Sequence, residues 1–510
     1  MAKVYTYPHV QVNTYARTHR TVNPSQEDTT AAFFAFVSKY GPANEIKRIF
    51  SLEEFINEYG DLDFATQGQT ALNIANWLTY GGTVYAYRMV AEGAEKASGS
   101  VSKSYEVQDA EPIAITFSIT AKYPGAAYND LEIILTNLGN KTVSYVVRNG
   151  KNVVESMTRL TYKKLISVPD NSQFIGSLTF SEEDFETFLE KSEVGAILKI
   201  TTASGSDGEF AGENRTQLDL GLEQFFIDQR DAAKSVLSNA LEVPIQIILD
   251  AGYSDAVKKA MYDFITDETM GRSEDVLLIL DETVAKVADG KYVGTLGDES
   301  EETLNYFVDG AVVKYSDQQF NISENAYAGK DIYVSITYFL SNLIPYNDSI
   351  YGIQYPVAGL TRGKLNGVKA ISINPSPTEK QEMFSKRINY IEKDSRGIYI
   401  MSQRTFDHEE SEGLYSALSF MNNVRVKNKM VQELKRLGRE YLFEFNDATT
   451  LSNMANALNR YAETWVQNRV LSYANVTVEA DEFSNETVNV TLSIKFTGTI
   501  EVINIDIQID

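Results

Sequence analysis

The apolar positions of this chain fall into short blocks whose period changes along its length. Ala31 through Val37 are continuously apolar and of strand length, the pattern of a strand buried on both faces, and Gly41-Pro42 follows as a turn. A helix is signalled next. Ser51 and Glu54 form a capping box, Leu52, Phe55, Ile56 and Tyr59 recur at helical spacing, and Gly60 stands at the expected C-terminal cap. A second helix over about 69–80 ends at Gly81-Gly82, and 83–90 reads as a strand.

Residues 91–104 are rich in Ala, Gly, Ser, Glu and Lys without period, which predicts a linker and a domain boundary. Strand-like runs then occur at 113–119, 131–136, 143–148 and 151–156, with Asn149-Gly150 between the last two as a hairpin turn. A small sandwich or barrel fits. After a polar stretch at 201–216, apolar strands at 243–249 and 276–280 alternate with helical patterns near 253–266 and 331–344, the signature of a parallel sheet. Ser376, Pro377 and Glu379 open a helix with Phe384, Ile388 and Ile391 on its apolar face, and 398–404 reads as a strand. Long helices are expected at 411–442 and 447–470, the second opened by Asn446-Asp447 and carrying Leu451, Met454, Ala455, Leu458, Tyr461, Ala462 and Trp465 on one face.

The end of the chain alternates strictly. Val488, Val490, Leu492, Ile494 and Phe496 share one parity, kept by Ile500 and Val502, whereas Ile503, Ile505, Ile507 and Ile509 have the other. The terminal run therefore faces a different surface or passes through a bulge, and Gly498 lets it leave its own sheet. At the other end, Val4, Tyr5, Tyr7, Val10 and Val12 lie in β-prone segments that no early turn joins to the body. Both ends are either edge strands of their own domain or strands added to a neighbouring copy.

Charge sharpens the picture. Lys plus Arg is 46 against 70 for Asp plus Glu, a net −24 that argues against nucleic acid and anionic lipid as partners. Within that acidic chain the 425–440 segment is basic, and a helical wheel puts Arg425, Lys429, Arg436 and Arg439 on one side, opposite Met430, Leu434, Leu437 and Tyr441. A solvated helix face accounts for this stripe; an acidic partner docked along it is the alternative.

Candidate chemistry is sparse. The chain has no cysteine and three histidines, His9, His19 and His408, with no metal-ligand spacing. No membrane span or signal pattern is visible, so a soluble, unprocessed protein is expected. Asp250 and Asp281 close two strands of the parallel sheet at their carboxyl ends, where α/β proteins bind ligands; aspartates also end strands as turn formers and caps, and no phosphate-binding glycine loop follows either one. No catalytic residue, cofactor or metal site is assigned.

Several blocks resemble the tail sheath proteins of contractile bacteriophages and related injection machines. They are Ala35-Phe36-Val37-Ser38-Lys39-Tyr40-Gly41-Pro42-Ala43-Asn44-Glu45, Ser51-Leu52-Glu53-Glu54-Phe55 and Tyr59-Gly60; Ala121-Lys122-Tyr123-Pro124-Gly125 with Tyr128-Asn129-Asp130-Leu131; Ile388-Asn389-Tyr390-Ile391 with Arg396-Gly397-Ile398 and Arg404-Thr405; and Phe443-Glu444-Phe445-Asn446-Asp447. Ala127-Tyr128 and Phe445 depart from the family pattern, and 285–330 matches nothing in it.

The resemblance implies an α+β multidomain fold: a trunk domain built from both chain termini, with an inserted β-sandwich or barrel domain and an α/β domain. The corresponding boundaries are an N-terminal arm at 1–22, trunk at 23–92, β domain at 105–182, α/β domain at 183–375, C-terminal trunk at 376–498 and an exchange strand at 499–510. It implies no enzymatic activity and no cofactor. The expected partners are further copies of the chain in a helical polymer of stacked hexameric rings, a tail tube protein, and baseplate and terminator proteins, in a virion tail assembled in the host cytoplasm. Val4, Tyr5, Tyr7, Val10, Val12, Ile503, Ile505, Ile507 and Ile509 would carry strand exchange, and the helix with Arg425, Lys429, Arg436 and Arg439 would face the tube. A sheath of a bacteriocin-like or secretion machine shares these features. An α/β hydrolase-like enzyme and a surface-layer protein are the readings from other classes.

Overall fold

The computed structural model describes residues 30–107, 110–281, 287–288, 291–292, 311–316, 320–323, 331–372, 374–385, 387–407 and 416–498. Its centre is a seven-stranded sheet in the order Ile388–Asn389, Val312–Tyr315, Leu277–Asp281, Ile247–Leu249, Ala31–Phe36, Thr83–Arg88, Ile46–Ile49. Every neighbouring pair is parallel except the last, an antiparallel edge. Ala31–Phe36 is central, which is why it is apolar without alternation: Ala32, Phe34 and Phe36 enter one core while Ala31, Phe33 and Ala35 enter the other. Helices Leu52–Tyr59, Gln69–Thr79 and Ile336–Ile350 cover the first face, through residues such as Phe55, Trp77 and Phe339. Gln217–Asp228 and Asp255–Ile265 cover the second, through Phe225, Phe226, Met261 and Phe264.

This sheet joins segments that the sequence-based boundaries kept apart. Residues 30–92, expected in the trunk, supply three strands to the same sheet as the α/β region, and Ile388–Asn389, expected in a helix of the C-terminal trunk, forms the opposite edge. The helix opened by Ser376 and Glu379 has its capping box, with Ser376 N donating to Glu379 Oε2 at 2.7 Å, but it stops at Ser385. Arg387 turns the chain with φ 62°, and Ile388 and Ile391 become strand residues. Similarly, Asp331–Val334 is a strand and the helix after it begins at Ile336.

The inserted β unit is larger than expected. Its two sheets, Ile197–Thr201 with Leu131–Gly139, Thr142–Asn149 and Asn152–Leu160, and Lys96–Val107 with Ala110–Pro124 and Ile175–Thr179, enclose one core containing Phe117, Tyr128, Tyr145 and Phe188. The Asn149-Gly150 turn is present, with Gly150 at φ 58°. The expected linker at 91–104 is corrected: Lys96–Val107 is a strand. Its small residues serve close packing rather than flexibility, since a Cβ on Gly99 would lie 2.5 Å from Thr201 O.

The C-terminal unit consists of helices Met421–Gly438 and Ala448–Gln467 and the antiparallel pair Leu471–Ala480 and Val488–Phe496. Asp447 caps the second helix by accepting from Thr450 N at 2.8 Å, and Met454, Leu458, Ala462 and Trp465 form its buried stripe. Among the described residues no helix is long and apolar enough to cross a membrane.

Candidate functional site

Asp250 and Asp281 come together at the carboxyl end of the sheet, but the space between them is filled. Lys258, from helix Asp255–Ile265, donates to Asp281 Oδ1 and lies 3.3 Å from Asp250 Oδ2; all three side chains are buried. Asp250 Oδ1 also accepts from the amides of Ala251 at 2.7 Å and Tyr253 at 3.0 Å, and its Oδ2 from Asp281 N at 3.1 Å. Burial and the neighbouring Asp281 charge push the Asp250 carboxyl up to about 7. Burial opposes the charge on Lys258, yet the two carboxylates outweigh it and hold the ammonium above its ordinary value. The lysine and the backbone amides engage three of the four carboxylate oxygens, so this geometry fixes two strand ends; Asp281 Oδ2 is buried without a hydrogen-bond partner among the described residues. Among the described residues no group of His, Asp or Glu is arranged to hold a metal ion. Lys258 escaped sequence reading, although it stands beside Val257 and Met261 on a stripe that periodicity marks as inward.

The basic helix is shorter than predicted and is not a solvated stripe along its length. From Met421 to Asn428 every residue is buried, because this half of the helix lies between the central sheet and the C-terminal unit: Met421 and Val424 join the sheet core, Val426 and Met430 join Trp465 and Phe496. Arg425 is the clearest correction. Its guanidinium forms a two-pronged pair with Asp348 of helix Ile336–Ile350, Nη1 to Oδ1 at 3.1 Å and Nη2 to Oδ2, with side chains only 4% and 7% exposed; Thr30 Oγ1 donates to the same carboxylate. Lys427 is buried and Lys429 half-buried. Periodicity places residues around a helix but does not reveal that a second surface covers the polar side. What remains of the stripe is Arg436 and Arg439 near the distal end; Arg436 pairs with Glu433 at 2.9 Å and Glu440 at 3.7 Å.

Replacing Arg425 with alanine should therefore destabilise the protein by roughly 3–5 kcal/mol by stranding Asp348, because breaking one partner of a buried pair leaves an uncompensated charge. Asp348→Asn in the same background should recover part of the loss. Chemical denaturation of the single and double variants measures both, and a single variant as stable as the parent would refute the pairing.

The strand pair Leu471–Ala480 and Val488–Phe496 forms a sheet of its own, with Leu471, Val476 and Phe496 buried beneath it. Val476 opposes Leu492, and its N–H and C=O point outward to the Asn459 side chain, each at 2.8 Å. Asn459 thus blocks the middle of one outer edge. Among the described residues the outer edge of Val488–Phe496 has no strand beside it. At the far end of this unit, Phe443, Phe445 and Phe483 are 90%, 83% and 95% exposed, and Asn446 Nδ2 ties their two loops together by donating to Asn485 O at 2.8 Å. The remaining predicted residues, Val4, Tyr5, Tyr7, Val10, Val12, Ile503, Ile505, Ile507 and Ile509, lie outside the described residues, as do His9, His19 and His408.

No family model and no curated protein matches the chain. Solved structures do match. A sheath tail protein from Listeria innocua shares 14% identity, with a TM-score of 0.62 over 93% of this chain and 93% of that one. A sheath tail protein from Desulfitobacterium hafniense gives 11% identity and 0.53 over 94% and 99%. The contracted sheath complex of PVC, an extracellular contractile injection system, gives 11% and 0.51 over 100% and 99%. Likeness at these identities is likeness of fold, and it agrees with the blocks picked out in the sequence: the chain has the fold of the contractile tail sheath family.

Proposed function

We propose that this protein is the structural subunit of a contractile phage tail sheath, polymerising into a helical sleeve around a tail tube and contracting to drive the tube through a host envelope. The observation that carries this reading is the small C-terminal sheet: a two-stranded pair with one outer edge open among the described residues, in a chain whose last residues alternate as a strand. In the assembled sleeve, Ile503, Ile505, Ile507 and Ile509 of one copy, and the β-prone Val4, Tyr5, Tyr7, Val10 and Val12, would add to such sheets of neighbouring copies. The exposed phenylalanines give the same unit an apolar end of the kind that marks an assembly surface. The sleeve would consist of stacked hexameric rings, meet baseplate and terminator proteins at its ends, and form part of a virion tail. Sheath tail proteins and the sheath of an extracellular contractile injection system both stand among the matching structures, so the sheath of an injection machine is the second reading. The sheet-end aspartates, closed by Lys258, favour a structural over an enzymatic role.

Arg436 and Arg439, with Lys429, would face the tube. Arg436→Glu with Arg439→Glu should leave the fold unchanged, since both side chains are exposed. It should weaken co-sedimentation with the tube protein, most at low salt, because such attraction is screened over about 8 Å at physiological ionic strength. Unchanged co-sedimentation at low salt would refute this tube-facing assignment.

A further inference from the structure

Two turns singled out in the sequence, Gly41-Pro42 of the α/β body and Pro124-Gly125 of the β unit, meet at one guanidinium. Arg88 ends the body strand Thr83–Arg88 and is completely buried. Its Nε donates to Ser38 O at 2.7 Å, Nη1 to Gly41 O at 2.9 Å and Pro124 O at 3.0 Å, and Nη2 to Asp207 Oδ1 at 2.8 Å. Asp207 lies where the chain returns from the β unit, just after the Glu95–Ser206 bridge, and its Oδ2 accepts from Ala126 N at 3.2 Å. One side chain thus holds the body loop, the β-unit turn and the return connection.

The loop is gripped from the other side as well. Gly41 N donates to Tyr128 Oη at 2.9 Å, and Tyr40 packs edge-on against Tyr128 with ring centroids 5.8 Å apart. Asn149 Nδ2 donates to Tyr40 Oη at 3.2 Å. Gly125 is required by this approach, and Gly41 by the packing of its loop on the body helix Leu52–Tyr59. Gly125 has φ 145°, and a Cβ there would sit 2.9 Å from Arg88 Nη2; Gly41 has φ 96°, and a Cβ would sit 2.4 Å from Glu58 O.

A unit inserted through two connections is expected to move relative to its host unless their interface is extensive. We propose that Arg88 is a positioning residue that locks the β unit to the α/β body, so that the two turn as one rigid piece. The planar fork of an arginine reaches several acceptors at once from a fixed position, which a lysine ammonium on a flexible stem does not.

The chain has no cysteine, so two can be introduced without background: Glu53→Cys on the body helix and Asn152→Cys in the β-unit hairpin, both exposed. With nitroxide labels on the full chain, pulsed electron paramagnetic resonance should give one narrow distance distribution. In Arg88→Met and in Arg88→Lys it should broaden and lose that single peak, while far-ultraviolet circular dichroism is retained. Asp207→Ala, at a partly exposed side chain, is the second route to the same loosening if the arginine variants fail to fold. Narrow distributions in folded Arg88 variants would overturn the lock. So would Arg88 variants that unfold while Asp207→Ala stays narrow, which would assign Arg88 to stability alone.

Discussion

Replacing Lys258 with methionine should cost the folded protein roughly 3–5 kcal/mol, because the change leaves two buried carboxylates facing each other without a cation. Asp250 and Asp281 are both fully buried and Lys258 bridges them; no other ammonium or guanidinium is paired with either one among the described residues. The sign of the pH dependence follows from the carboxyl of Asp250. Burial and the Asp281 charge raise it in the folded state from 3.8 to about 7. A carboxyl raised in this way contributes stability that is fully present below about 4 and lost as pH rises through about 7. The parent protein should therefore lose some stability across that interval. In Lys258→Met the demand for protonation is stronger, so its deficit should be largest at neutral and alkaline pH and shrink on acidification. Urea denaturation at a series of pH values reads both trends, and a variant matching the parent at pH 7 would contradict the account.

The second large effect concerns assembly. Deleting 499–510 should give a folded protein that no longer polymerises. The described C-terminal unit is already closed without that segment: Phe496 packs with Trp465, Val470 and Leu471, and the pair Leu471–Ala480 and Val488–Phe496 is complete from Leu471 opposite Phe496 to Ala480 opposite Val488. What the deletion removes is a strand-forming tail whose Ile503, Ile505, Ile507 and Ile509 would each contribute roughly 1.5–3 kcal/mol on burial. Backbone hydrogen bonds to a neighbour would add about 0.5–1.5 kcal/mol net apiece. The receiving side admits an independent test. Because Val476 and Leu492 form a pair whose backbone groups point outward, Val490, two residues from Leu492, also presents its N–H to the open edge. Val490→Pro should remove that outward donor and block strand addition while sparing the internal ladder, as prolines on edge strands do. Circular dichroism and analytical ultracentrifugation of both variants should show folded, unassembled protein. An unfolded aggregate from the deletion would mean that the tail belongs to its own subunit's core.

How legible these features were in the sequence depended on how local their causes are. The capping box at Ser51 and Glu54, the Asn149-Gly150 turn and the Asp447 cap are set by neighbours within a few residues, and each forms as read: Glu54 N donates to Ser51 Oγ at 3.1 Å, and Gly150 has the left-handed φ that the turn needs. The parallel sheet was legible from strand–helix alternation, but its membership was not. Nothing in the composition of Ala31–Phe36 says that Ile247–Leu249 will be its neighbour. Lys96–Val107 was hidden because Gly99 and Ala97 are small for a tertiary reason, the close approach of Thr201 to the first and of Gly205 to the second. Arg425, Lys258 and Arg88 show the same limit for charge. Arg425 reads as a surface cation and Lys258 and Arg88 carry no local sign of a partner; each is buried as a charge only because Asp348, the Asp250–Asp281 pair or Asp207 arrives from another segment.

Electron microscopy of the purified full-length protein beside its 499–510 deletion tests the proposed hollow sleeve most directly. Tubular sleeves with a regular axial repeat from the full-length protein, and none from the deletion, are the predicted result. Full-length protein that stays dispersed at high concentration with its tube protein present, or that forms flat sheets, would contradict it.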